Sequence, residues 1–82
     1  MTKKRYIIYG KDKCPYCSFA QDYCIAKEEE VVYLDYTSNL EALRDCMIFY
    51  KMKTVPIILE NDLESGLTKF IGGYTDLLKY LK

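Results

Sequence analysis

The segment KRYIIYGKDKCPYCSFAQDYC, residues 4 to 24, changes its repeat partway along, and that change restricts the fold more than any other feature. Residues 4 to 9 are β-branched and aromatic and stop at Gly10, the pattern of a strand running into a turn. From Pro15 to about Lys27 the positions Phe19, Ala20, Tyr23, Cys24 and Lys27 recur at helical spacing, and proline suits a first helical turn. A strand followed at once by a helix buries its apolar face only if the helix folds back over a sheet.

The rest of the chain continues the alternation. Residues 31 to 36, VVYLDY, read as a second strand between the acidic run Glu28 to Glu30, expected in solvent, and the turn residues Thr37, Ser38 and Asn39. Ser38 or Asn39 can cap a second helix from about Leu40 to Tyr50, with Leu40, Leu43, Met47 and Tyr50 on one face. Pro56 leads into a third strand at 57 to 60, with a turn around Asn61 and Asp62, and residues 67 to 71 fit a fourth strand forming a hairpin with it. Gly72 and Gly73 break that strand, and Thr75 or Asp76 starts a last helix to Lys82. The order β-α-β-α-β-β-α predicts an α/β chain with a four-stranded mixed sheet and three helices on its two faces: a parallel pair from the first crossover, then an antiparallel hairpin. With no linker or repeat, residues 1 to 82 are expected to form one domain.

Twelve basic side chains balance twelve acidic ones, which argues against nucleic acid as the main partner. Lys3, Lys4 and Arg5 read as a solvated strand end. No window approaches the roughly 20 apolar residues of a membrane span, and the N-terminus lacks a signal-like apolar stretch. A cytoplasmic location is therefore expected. Thiols stay reduced there, so a Cys-x-x-Cys pair is more often catalytic or metal-binding than a structural crosslink.

Cys14 and Cys17 leave three possibilities: a structural disulfide, part of a metal site, or a redox-active dithiol. Histidine is absent, and the four cysteines are separated by 2, 6 and 21 residues, which lacks the second close pair of a four-cysteine zinc site. The context favours the dithiol, because the pair follows a strand and opens a helix. Unpaired N–H groups at a helix N-terminus stabilise a thiolate, which is the attacking species in disulfide exchange. Cys14 sits where it benefits, with Lys11 and Lys13 adding positive charge; Cys17, one turn inward, is expected to be buried and to resolve the mixed disulfide. Cys24 and Cys46 read as small buried apolar side chains inside helices.

Three segments together resemble the glutaredoxins, small members of the thioredoxin fold. Cys14-Pro15-Tyr16-Cys17 is similar to the dithiol active-site motif of that family, Thr54-Val55-Pro56 to its cis-proline loop, and Gly72-Gly73-Tyr74-Thr75-Asp76 to its second glutathione-binding loop. The resemblance implies a glutathione-dependent thiol–disulfide oxidoreductase acting on protein disulfides and glutathione mixed disulfides, monomeric, with ribonucleotide reductase as a candidate electron acceptor. Glutathione is the implied co-substrate, and no metal or flavin is expected. The single-cysteine Cys-Gly-Phe-Ser motif tied to iron–sulfur assembly is not the one present.

On this resemblance Cys14 and Cys17 are catalytic. Lys11 is matched to the glycine-end carboxylate of glutathione, with Lys53 as a second candidate and Arg44 and Lys51 as others, since the second helix departs from the family pattern. Tyr16 lies along the tripeptide. Thr54, Val55 and Pro56 supply backbone to its cysteine, the Val55–Pro56 bond being cis. Gly73, Tyr74, Thr75 and Asp76 hold the γ-glutamyl end, Asp76 taking the ammonium and backbone N–H groups the carboxylate. Two rival readings are a thioredoxin-like carrier recharged by a flavoprotein reductase and a non-catalytic redox-sensing or cluster-binding module.

Overall fold

The computed structural model describes residues 3 to 81. Its elements follow the expected order: β1 (Lys4–Gly10), α1 (Pro15–Ala26), β2 (Glu30–Asp35), α2 (Leu40–Phe49), β3 (Ile57–Asp62), β4 (Thr68–Gly72) and α3 (Tyr74–Tyr80). The sheet order is β2-β1-β3-β4, so β1 is central, with β2 parallel to it and β3 antiparallel. The mixed four-stranded sheet with three helices is thus the one the sequence predicts.

Boundaries moved where backbone pairing overrode side-chain pattern. β2 starts one residue early because Glu30 pairs with Arg5. Asn61 and Asp62 belong to β3 and not to a turn, paired with Arg5 and Lys4 of β1. The turn lies beyond them: the Asp62 carboxylate accepts the Glu64 and Ser65 N–H groups at 2.9 and 3.3 Å, and Gly66 takes φ 78°. The cap of α2 is Asn39, whose side chain accepts the Ala42 N–H at 3.1 Å, a standard N-cap bond. α3 starts at Tyr74, one residue before the positions the sequence suggested.

Strand alternation sorts the core into two layers. Tyr6 and Ile8 of β1 and Ile58 of β3 point to one face, where Ala20 and Cys24 of α1 and Leu77 of α3 cover them. Tyr9, one residue on, faces the other side and stacks with Tyr50 at the end of α2, ring centroids 6.4 Å apart. Tyr50 also stacks on Phe70 of β4 at 5.2 Å, so α2 caps the second face through aromatic rings. Only Leu43 of α2 is buried; Leu40, expected on the same face, is 54% exposed. Leu40 is the first residue of the helix, where the chain is still arriving from the Asn39 cap.

Among the described residues, one charged side chain is buried with the apolar core. Glu60 of β3 accepts the hydroxyls of Tyr6 at 2.7 Å and Tyr80 at 2.9 Å, and the Lys4 ammonium lies 3.6 Å away. A buried carboxylate is tolerated when its lone pairs are occupied. Burial first, then the bond to Glu60, pushes the Tyr6 hydroxyl pKa far above its ordinary value. The basic strand end is therefore less solvated than expected: Lys4 reaches Glu60, and Arg5 donates to the Asn61 side chain at 3.0 Å.

Leu77 is the residue that anchors α3 to this core, fully buried among Ile58, Ala20 and their neighbours. Leu77→Ala is expected to cost about 2–5 kcal/mol, the range for leucine truncation in a close-packed interior. Urea unfolding of the two proteins measures it, and a cost below about 1 kcal/mol would contradict this packing.

Candidate active site

β1 ends against α1 with almost no space between them. A Cβ built on Gly10 would sit 2.5 Å from the Tyr33 hydroxyl and 2.9 Å from the Cys17 sulfur, so only glycine lets both approach the strand. The loop from 11 to 13 is tied down by neighbouring chain. The Tyr33 hydroxyl donates to the Lys11 carbonyl at 3.1 Å, and the Asp12 N–H donates to the Thr37 hydroxyl at 2.8 Å. Thr37 is itself held by Asp35, whose carboxylate accepts both its N–H, at 2.9 Å, and its hydroxyl.

That loop delivers Cys14 to the N-cap of α1. Its sulfur accepts the Cys17 N–H at 3.3 Å, and Pro15 fills the first helical position, where no N–H is needed. Cys14 and Cys17 are joined as a disulfide, their Cα atoms 5.3 Å apart. Cys17 is fully buried and Cys14 half-buried, the asymmetry the sequence predicts.

Across from the pair runs the loop before β3. Val55–Pro56 is cis, and the Val55 carbonyl oxygen lies 3.9 Å from the Cys14 sulfur. A disulfide sulfur has no proton to donate, so this is a packing contact. Two grooves meet at Thr54 and Val55, which line both. The first, about 420 Å³, is lined by Tyr16, Met52, Thr54, Val55, Pro56, Gly73, Tyr74, Thr75 and Asp76. The second, about 340 Å³, has Cys14 on its wall with Lys11, Lys13, Lys53, Leu43 and Met47.

The predicted site residues therefore fall into two groups. Tyr16, Thr54, Val55, Pro56, Gly73, Tyr74, Thr75 and Asp76 share the first groove, and Lys11, Lys53 and Cys14 share the second. Arg44 and Lys51 line neither groove. Sequence reading missed Met52, which lines the first groove, and Leu43 and Met47 as lining of the second. It also placed Phe19 on the apolar repeat of α1. The buried face keeps Ala20 and Cys24 of that repeat and adds Cys17, whereas Phe19, roughly 100° round from Ala20, is 49% exposed. There it forms a triangle with Tyr16 and Tyr74, centroids 5.7 to 6.0 Å apart. An aromatic three residues after Tyr16 on a helix is the signal that would have found it.

Asp76 does more than the sequence suggested. Its carboxylate accepts the Gly73 N–H at 3.0 Å, the back-reaching half of a capping box for α3. Gly72 lies at φ 126°, and a Cβ there would run into that carboxylate. Gly73 has ordinary extended backbone and a hypothetical Cβ finds nothing nearer than 3.6 Å, so of the two glycines only Gly72 is conformationally required.

Cys24 is buried as expected, and burial, then nearby Glu29, pushes its thiol pKa up to about 11. Cys46 is only half-buried. Among the described residues no group of three or more histidine, cysteine, aspartate or glutamate side chains is arranged to hold a metal ion, and no helix is long and apolar enough to cross a membrane.

No protein-family model matches the sequence, and no curated protein matches it. Solved structures do. The solution structure of glutaredoxin from Brucella melitensis superposes with a TM-score of 0.71 at 24% identity, covering 94% of this chain and 77% of that one. The reduced glutaredoxin of Escherichia coli gives 0.70 at 25% identity, covering 94% and 92%. Fold and cysteine pair together define a thiol–disulfide oxidoreductase of the thioredoxin fold. Within that class the match is to the glutaredoxins, and the Cys14–Cys17 pair is a glutaredoxin-type Cys-x-x-Cys.

Two measurements check the site. The bonds from Thr37, side chain first and then backbone, hold the Asp35 carboxyl below its ordinary value. A depressed folded pKa stabilises above the unfolded value and is lost as pH falls through the folded one. Asp35→Asn is thus expected to lower the melting temperature at pH 7, and the gap to close as pH drops below about 4; a gap constant with pH would contradict the assignment. Separately, iodoacetamide at pH 8 should alkylate Cys14 in the reduced native protein within minutes and leave Cys24 unmodified until denaturant is added, as read by peptide mass mapping.

Proposed function

We propose that residues 1 to 82 act as one domain, a cytoplasmic, monomeric, glutathione-dependent oxidoreductase that reduces protein disulfides and glutathione mixed disulfides. Ribonucleotide reductase belongs among its candidate acceptors on the strength of the family resemblance. The observation that carries the reading is the separation of charge about Cys14: a carboxylate, Asp76, lining one groove, and the ammonium groups of Lys11 and Lys53 lining the other. Glutathione carries an ammonium and a carboxylate at its γ-glutamyl end and a second carboxylate at its glycine end, with its thiol between. Val55, where the grooves join beside the Cys14 sulfur, offers its peptide groups to the central cysteine.

In the proposed cycle the Cys14 thiolate attacks the sulfur of a substrate disulfide, and the substrate bond breaks as the mixed disulfide forms. With glutathione on Cys14, a second glutathione thiolate attacks its sulfur, giving oxidised glutathione and restoring the Cys14 thiolate. With a protein on Cys14, the buried Cys17 thiol loses its proton and displaces it, leaving the Cys14–Cys17 disulfide that two glutathiones then reduce. Each turn passes two electrons from glutathione to substrate.

A coupled assay with glutathione and glutathione reductase tests this. Cys14→Ser is expected to abolish reduction of a small glutathione mixed disulfide, whereas Cys17→Ser keeps much of it; equal loss in both would overturn the roles. Asp76→Asn retains an acceptor for the Gly73 N–H while removing the charge. It should raise KM for glutathione by about 2- to 5-fold, the worth of one exposed ion pair, with kcat little changed. Turnover with thioredoxin reductase and none with glutathione would favour the electron-carrier alternative.

A further inference from the structure

The second groove carries more positive charge than a tripeptide uses. Lys11, Lys13 and Lys53 all line it, no carboxylate does, and none of the three lysines makes an ion pair among the described residues. That is a local concentration of charge in a chain whose total is zero. Glutathione brings a single carboxylate to this side. The floor is apolar, formed by buried Leu43 and half-buried Met47. Lys13 is also held at φ 54°, a conformation that favours glycine, directly before the reactive cysteine.

We propose that this groove receives the polypeptide of a disulfide substrate, and that the substrate carries acidic residues immediately after its target cysteine. The inference deepens the exchange mechanism above and rests on it for the direction of the bound chain, γ-glutamyl end at Asp76 and carboxyl end at the lysines. A substrate cysteine opposite Val55 then sends its following residues over Leu43 and Met47, between three ammonium groups. Carboxylates there are attracted on approach and paired once bound, whereas lysines or arginines are repelled. The groove thereby selects among protein disulfides that the Cys14 sulfur alone treats alike.

The chemistry is two successive exchanges. Reduced Cys14, as thiolate, attacks the substrate cysteine sulfur; the substrate disulfide breaks, its other sulfur leaves as a thiolate, and the Cys14–substrate disulfide forms. Cys17, giving its proton to solvent, then attacks the Cys14 sulfur and releases the substrate thiolate, which takes up a proton. The protein dithiol is oxidised by two electrons and the substrate disulfide reduced by two.

The test uses three single-cysteine peptides, Cys followed by Glu-Glu, Gln-Gln or Lys-Lys, each as its mixed disulfide with thionitrobenzoate. The prereduced protein attacks the peptide sulfur, since thionitrobenzoate is the better leaving group, and its yellow release is followed by stopped flow. The Glu-Glu peptide is expected to react about tenfold faster than Gln-Gln at low ionic strength, with Lys-Lys slowest and the spread shrinking in 0.5 M salt. The Glu-Glu to Gln-Gln rate ratio should fall about 2- to 5-fold in Lys13→Gln and reach or pass unity in Lys13→Glu. The Gln-Gln rate in each variant reports the reactivity of Cys14 itself, so the ratio isolates recognition. Equal rates for the two peptides, or a ratio unmoved by Lys13→Glu, overturn the inference. No glutathione is present, so a failure here is distinct from a failure of glutathione turnover, which would overturn the proposed function.

Discussion

The reactive end of this molecule depends on how closely α1 lies against the end of β1. Gly10 sets that distance, because any side chain there would meet the Tyr33 hydroxyl and the Cys17 sulfur. Close approach buries Cys17 completely while Cys14, at the cap, stays half-buried with an N–H aimed at its sulfur. The same tyrosine that crowds Gly10 holds the Lys11 carbonyl, so one contact region fixes the inner thiol, the outer thiol and the basic loop. The difference in character between two chemically identical cysteines comes from this packing.

Around that fixed point, each element contributes one part. The loop before β3 brings the Val55 carbonyl to the Cys14 sulfur, and α3 brings Asp76 to the wall of the first groove. α3 is short, and what holds it is Leu77 in the core and Tyr80 on Glu60. Asp76 thus stands at the end of a chain of contacts running back through β3 and β1. Its carboxylate also closes its own helix, so a residue that reads as a ligand is equally part of the frame. The opposed charges of the two grooves follow from where these elements end, not from any excess charge in the chain.

Much of the fold was legible in the sequence because its elements carry clean local signals. KRYIIY and VVYLDY are dense in β-formers, Pro15 and Asn39 mark helix starts, and glycines punctuate the hairpin. The errors have physical causes. Asn61 and Asp62 look like a turn but pair with β1, since ladder bonds outweigh weak strand propensity. Leu40 and Phe19 look like core but are exposed, because spacing along a helix does not say which side of a stripe meets the sheet. Of the candidate site, the cysteine pair stood out, as did the three motifs that resemble the glutaredoxins. The lysine-lined groove did not, since Leu43, Met47 and Lys53 lie far from Lys11 along the chain.

By itself the sequence determined the order of elements, the mixed sheet and the redox character of Cys14 and Cys17, because those properties reside in neighbours a few residues apart. Tertiary structure alone decided that Gly10 must be bare, that Asp76 shares a groove with Tyr16 and Val55, and that three lysines from two distant segments converge beside one sulfur. These depend on contacts across as many as 42 residues, from Lys11 to Lys53, and on van der Waals distances that no local pattern encodes.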